Sequence, residues 1–240
     1  MNASEMRIAN PDAGPVADET NILDELLKLQ GAKVLELGCG KADKTRVVAK
    51  KAASILALEV DETQLAQNMQ ITDLPNVNFK YGVAQEIAAS DAEFDIVLMF
   101  KSLHHVPMEH MDKVFVEINR VLKPGGFAYI SEPVFAGDFN DVLRLFHDES
   151  TVREAAFAAV KRAVSAKQFT LVSQKFFLSA MHFDSFDQFE EQVLKVTHTE
   201  HKLSPELLEQ VRAKFNKHMT PYGADFQMPI RVDLLRKEKL

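Results

Sequence analysis

Five short stretches in the first half of the chain are predominantly apolar: Lys33–Leu37, Ser54–Glu59, Val77–Tyr81, Asp95–Phe100 and Phe127–Glu132. Runs of this length and character predict strands covered on both faces, since a strand with one wet face alternates polar and apolar residues instead. Helical spacing fills the gaps. "DETQLAQNM" opens with Asp61 and Gln64 at capping-box spacing. Met111, Val114, Phe115, Ile118, Val121 and Leu122 then recur on one helical face before "KPGG" stops the helix. Alternation of this kind predicts βαβ units, and hence a parallel sheet with helices on both faces.

The pattern changes after Glu132. Helices are predicted over 140–146, 151–166, 186–196 and 206–219, the second opened by a Thr151–Glu154 capping box and the last by Ser204 with Pro205 at the first helical position. Two more strands are predicted over 175–182 and 230–235. Phenylalanine gathers here, with 13 of the 17 beyond residue 126. One domain over 1–240 is therefore expected, with a plain core at 20–132 and an aromatic-rich remainder at 133–240.

Composition narrows the partners. A formal net charge of −7 disfavours nucleic acid, because binding a polyanion needs a concentrated positive field. The single cysteine, Cys39, precludes a disulfide or a thiolate metal cluster within one chain, and a reducing cytoplasm is the expected location. No apolar run approaches the roughly 18 residues of a membrane span, and no export signal is read at the N-terminus.

The chemistry begins at "VLELGCGKADKTR", where the first strand opens into a glycine turn. Gly38 and Gly40 allow a tight bend and close approach of backbone to a ligand. A dinucleotide fingerprint would put glycine or alanine where Asp43 stands, on a helix start that would carry the pyrophosphate. An acid there repels phosphate. Glu59, at the end of the second strand, is placed to accept ribose hydroxyls. Together these residues predict a nucleoside ligand without phosphates.

At this point the chain resembles a known family. "VLELGCGKA", "LALEVD", "YGVAQEI", "FDIVLMFKSLHHV" and "RVLKPGG" are similar, in order, to the motifs of class I S-adenosylmethionine-dependent methyltransferases, most closely the branch that includes the ubiquinone and menaquinone enzymes. The resemblance covers residues 20–132. It implies a doubly wound, mostly parallel, seven-stranded Rossmann-like sheet with a helical insertion after the fifth strand. It also implies S-adenosylmethionine as cofactor, S-adenosylhomocysteine as product, and a small-molecule acceptor methylated by in-line displacement. By the same resemblance Glu36 orients the cofactor ammonium, Gly38 and Gly40 pack against its methionyl part, and Glu59 holds the ribose. Phe100 and Lys101 lie near the methionine end. Val83 departs from the family's Asp or Asn at the adenine edge, leaving recognition to Gln85, the backbone around Ala84, and apolar contact from Val60 or Ile87.

Acceptor-side candidates are His104 and His105 in "SLHHVP" and Glu132 after the fifth strand, all at the carboxyl edge of the sheet. A histidine titrates near neutrality and can take a proton from a hydroxyl, thiol or amine; the same imidazoles can equally serve as turn residues that shape a pocket. No metal is expected, since a set of His104, His105 and His110 lacks carboxylate-rich spacing. Cys39 is read as a small packed residue, the late Phe residues as core, and Tyr222 as a loop residue. Two other functions stay open: a non-catalytic S-adenosylmethionine-binding protein and an NAD-dependent oxidoreductase.

Overall fold

The computed structural model describes residues 3–10, 12, 14–196 and 203–238. The chain builds strands β1 (Lys33–Leu37), β2 (Ser54–Glu59), β3 (Val77–Tyr81), β4 (Phe94–Phe100), β5 (Leu122–Pro133), β6 (Thr170–Phe183), β7 (Met219–Thr220) and β8 (Gly223–Arg236). Its helices are α1 (Glu19–Leu26), α2 (Asp43–Ala49), α3 (Glu62–Asn68), α4 (Met111–Val121), α5 (Asp138–Leu143), α6 (Ser150–Ser165), α7 (Phe186–Phe189) and α8 (Pro205–Phe215).

The strands form one sheet in the order β3-β2-β1-β4-β5-β8-β6, with β7 paired to β8. β1 to β5 run parallel, while β8 is antiparallel to both β5 and β6. The fold is Rossmann-like, as expected. Strand order reverses between β1 and β4, so the carboxyl ends of these two strands frame the crevice where open α/β sheets bind ligands.

Both faces of the sheet are covered, and the strand alternation shows how. Leu35, Leu37, Val97, Met99, Ala128 and Ile130 pack with α4 and α6 on one side. Their neighbours Val34, Ile96, Leu98 and Tyr129 pack with Leu23 of α1, with Leu27 just past its end, and with Val48 of α2 on the other. A third cluster lies apart from both: Phe139, Phe183, Phe186, Phe189, Phe215 and Phe226 form an aromatic core between α5, α7, α8 and the outer ends of β6 and β8.

Helix starts follow local chemistry. Asp61 accepts hydrogen bonds from the Thr63 and Gln64 N–H groups at the head of α3, and Ser204 accepts from the Leu207 N–H at the head of α8. The Gln64 side chain turns to Gln67 and Asn68 rather than closing the expected box. The Thr151–Glu154 box does not form. α6 starts a residue earlier, at Ser150, because Asp148 accepts the Ser150 N–H and the Glu149 side chain turns inward to Arg153.

The late strands are also longer than predicted. β6 and β8 each span 14 residues, their extra length masked in the sequence by polar residues facing outward and by Pro229, which cannot donate to a ladder. The predicted 186–196 helix is α7 followed by a π-helical turn at Glu190–Leu194. The end of the predicted 206–219 helix becomes a short 3-10 turn and the start of β7.

Candidate active site

The glycine turn sits between β1 and α2 and is braced from two sides. Gly38 has φ +75°, and a Cβ placed there would lie 2.7 Å from the Ser102 Cβ. Ala42, where the family often has a third glycine, also takes a left-handed φ of 63° before α2 begins. The Gly40 N–H donates to Glu59 Oε2 at 2.8 Å, and the Gly40 carbonyl accepts from Asn68 Nδ2 at 2.8 Å. The other Glu59 oxygen accepts the Val60 and Asp61 N–H groups at 2.9 and 3.0 Å. Glu59 thus ties the ends of β1 and β2 together, and its filled lone pairs leave Oε2 as the oxygen with capacity to spare. Asn68 shares the task; its place in a capping run gave no signal of it.

Directly beneath the turn, Glu36 is buried, and its Oε2 has no hydrogen-bond partner. Burial pushes the Glu36 carboxyl up to about 8 against the opposing pull of the nearby Thr45 hydroxyl, and the neighbouring Glu59 charge adds to the rise. A buried acid with an unpartnered oxygen fits a cationic donor such as an ammonium group, which would satisfy the oxygen and restore the charge. This is the fit expected for the amino-acid end of S-adenosylmethionine.

The other residues expected to border the cofactor differ in exposure. Val60 is exposed, Ala84 and Gln85 are half-buried, and Ile87 is committed to the core. Phe100 is also buried, packed against Tyr129 with ring centroids 5.5 Å apart. Lys101 has φ +55°, and its N–H donates to the Ser131 carbonyl at 2.7 Å. Its Nζ and that of Lys44 each stand 3.8 Å from Glu19 Oε2, while the Ser131 hydroxyl donates to Glu19 Oε1. Sequence reading missed Glu19 and α1. The clue was Asp18, which caps this helix by accepting the Thr20 N–H.

Ser102 joins the two halves of the site. It touches the glycine turn, its hydroxyl donates to the Leu37 carbonyl at 2.7 Å, and it stands two residues before His104. His104 and Glu132 are both buried and paired, His104 Nδ1 lying 2.5 Å from Glu132 Oε2. The Leu103 N–H donates to Glu132 Oε1 at 2.9 Å. Burial opposes the Glu132 charge, but His104, Arg231 and the Leu103 N–H outweigh it and hold the carboxyl below its ordinary value. His105 is exposed, its ring tilted 41° against that of His104 with centroids 4.1 Å apart.

The insertion supplies one group that the sequence did not flag. Glu149, buried at the head of α6, directs Oε1 toward His104 Nε2 at 3.6 Å and pairs through Oε2 with Arg153. Arg153, His104 and His147 hold its carboxyl below the usual range against the opposing effect of burial. His110 is not in this group; His104, His105 and Glu149 are.

The readings of packed residues stand. Cys39 is buried, and burial raises its thiol well above the ordinary value, so it remains a thiol. Tyr222 is exposed at the β7–β8 turn. No helix among the described residues is long and apolar enough to cross a membrane.

Comparison with known proteins agrees with the geometry. Residues 34–126 match the family model described as "Methyltransferase domain". Over 114 residues the chain is 32% identical to a ubiquinone biosynthesis O-methyltransferase of Pseudomonas fluorescens, covering 46% of this chain and 48% of that one. It is 29% identical over 104 residues to an uncharacterized methyltransferase of Synechocystis, covering 43% and 48%. The chain thus spans about half the length of these curated relatives. In fold it is similar to the YcgJ protein of Bacillus subtilis, with TM-score 0.64, 17% identity, and 92% and 97% of the two chains covered. A SAM-dependent methyltransferase of Methanosarcina mazei gives TM-score 0.56 at 14% identity over 91% and 98%. Residues 34–126 are thus similar to a methyltransferase domain, and the likeness to the solved structures extends the shared fold over most of the chain.

Proposed function

We propose that the protein transfers a methyl group from S-adenosylmethionine to a small-molecule acceptor whose oxygen, nitrogen or sulfur gives up a proton. The observation that carries this reading is the unpartnered, buried Glu36 oxygen beneath the glycine turn, on the sheet edge that also holds the buried His104–Glu132 pair. S-adenosylmethionine, when bound, supplies an electrophilic methyl group on an already positive sulfur.

The chain's own residues do the rest. Glu36 binds the ammonium end, Gly38 and Gly40 admit the ligand against backbone, and Glu59 keeps the turn in shape while offering an acceptor to the ribose. Val60, Ala84 and Gln85 border the base, and Phe100 and Lys101 close the methionine end. Glu132 fixes the His104 ring through Nδ1, so Nε2 is the nitrogen able to take an acceptor proton. A positioned base of this kind contributes roughly 10²–10⁴-fold, and holding the acceptor in line contributes about 7–11 kcal/mol. The ubiquinone O-methyltransferase relatives support a hydroxyl among these acceptors.

The test is calorimetric binding of S-adenosylhomocysteine and NAD, followed by transfer of labelled methyl to a panel of phenols, amines and thiols. Binding of S-adenosylhomocysteine with label appearing in an acceptor is expected. Binding of NAD alone would overturn the reading. Binding of S-adenosylhomocysteine with no transfer to any panel member would favour a non-catalytic role.

A further inference from the structure

We infer that His104, His105 and Glu149 form a binding site for one divalent first-row transition-metal ion. Each offers a ligand atom, and these atoms all lie within 4.8 Å of one another. The set mixes imidazole and carboxylate donors, which suits zinc, cobalt, iron(II) or nickel better than calcium or magnesium.

Orientation makes this more than a cluster. Glu132 takes His104 Nδ1, so the ring turns Nε2 toward Glu149. Arg153 takes Glu149 Oε2, which leaves Oε1 facing that nitrogen. Both ligands are thus held from behind, as carboxylates and other groups that hydrogen-bond to metal ligands orient them in metal proteins. The 3.6 Å between His104 Nε2 and Glu149 Oε1 is too long for a hydrogen bond. It matches a tetrahedral ion instead: metal–ligand bonds of about 2.0–2.2 Å put neighbouring ligand atoms roughly 3.3–3.6 Å apart. His147 Nε2 also stands 3.0 Å from Glu149 Oε1, where it either shares that oxygen or turns toward the ion as a fourth ligand. His105 lies at the exposed mouth and gives the ion a route in from solvent.

Binding of the ion does not depend on the methyl-transfer reading. Where both hold, ligation of His104 Nε2 and proton abstraction by that nitrogen exclude one another. The ion would then take over the task of lowering the acceptor's pKa by binding its oxygen, nitrogen or sulfur.

The experiment is titration of the chelator-stripped full chain with Co²⁺, followed by visible absorption, with no substrate present. One Co²⁺ per chain and ligand-field bands of a nitrogen–oxygen site are expected. His105→Ala changes an exposed residue and should weaken binding at least tenfold, as should Glu149→Gln. Glu132→Gln, which loosens His104 without removing a ligand, should weaken it about 10–100-fold, while His110→Ala should bind as the parent does. Absence of saturable binding, or binding by the His105→Ala and Glu149→Gln variants as tight as the parent's, would overturn the proposal. Neither outcome bears on S-adenosylhomocysteine binding, which is measured separately on the same stripped protein.

Discussion

The two glycines of the turn look equivalent in the sequence and differ in their surroundings. Gly38 faces Ser102 at a distance no real Cβ tolerates, whereas an added Cβ at Gly40 meets nothing within 4 Å. Gly38→Ala should therefore abolish S-adenosylhomocysteine binding and lower the melting temperature. Gly40→Ala should cost only the left-handed backbone, about 1–2 kcal/mol; equal losses in both variants would refute the distinction. Glu59 is a second case in which position alone is incomplete. Its carboxylate was read as a ribose acceptor, yet it already accepts three backbone N–H groups. Orphaning buried donors costs about 1–3 kcal/mol each, so Glu59→Ala should destabilise the ligand-free protein as well as weaken cofactor binding. Thermal melts without ligand check this, and an unchanged melting temperature would return Glu59 to a purely ligand-binding role.

At the scale of elements, the molecule has a cofactor half and an aromatic outer body with separate cores. Phe189 is fully buried and packs against Phe139, Phe146, Phe183, Phe186 and Phe215. Phe189→Ala should cost about 3–5 kcal/mol. Because none of these residues belongs to the clusters that cover β1 to β5, binding of S-adenosylhomocysteine should survive at temperatures where the variant remains folded. Calorimetry on the variant tests both parts, and loss of binding without unfolding would mean that the two bodies are coupled. Element boundaries in the first half were legible because short buried strands and capped helices announce themselves locally, except that β5 starts at Leu122, five residues before the predicted Phe127. In the second half the long β6–β8 ladder was only partly visible: its outer portions alternate, carry Pro229, and gain their apolar partners from α5, α7 and α8 rather than from neighbours in sequence.

For the molecule as a whole, the buried acids set opposing pH dependences. Glu36 is raised from 4.5 to about 8 in the folded state, so the fold binds a proton that the unfolded chain has released. Stability from this group is full below pH 4.5 and is lost as pH rises toward about 8. Glu132 and Glu149 are lowered, so their contribution is present above their ordinary value and is lost as pH falls through the depressed one. Melting of the ligand-free protein should decline between pH 5 and 8, and Glu36→Gln should flatten that decline. A slope unchanged by the substitution would remove Glu36 as its source. An ammonium ligand favours ionised Glu36, so affinity for S-adenosylhomocysteine should rise over the same interval. The sequence by itself determined the parallel half of the sheet: the strand series, the glycine turn, and Glu36 and Glu59 at the strand ends are local patterns whose geometry follows from a few consecutive residues. Only the tertiary structure decided the acceptor side. Glu149 lies 45 residues from His104, and no local periodicity encodes a meeting that depends on how the insertion folds back over the sheet edge.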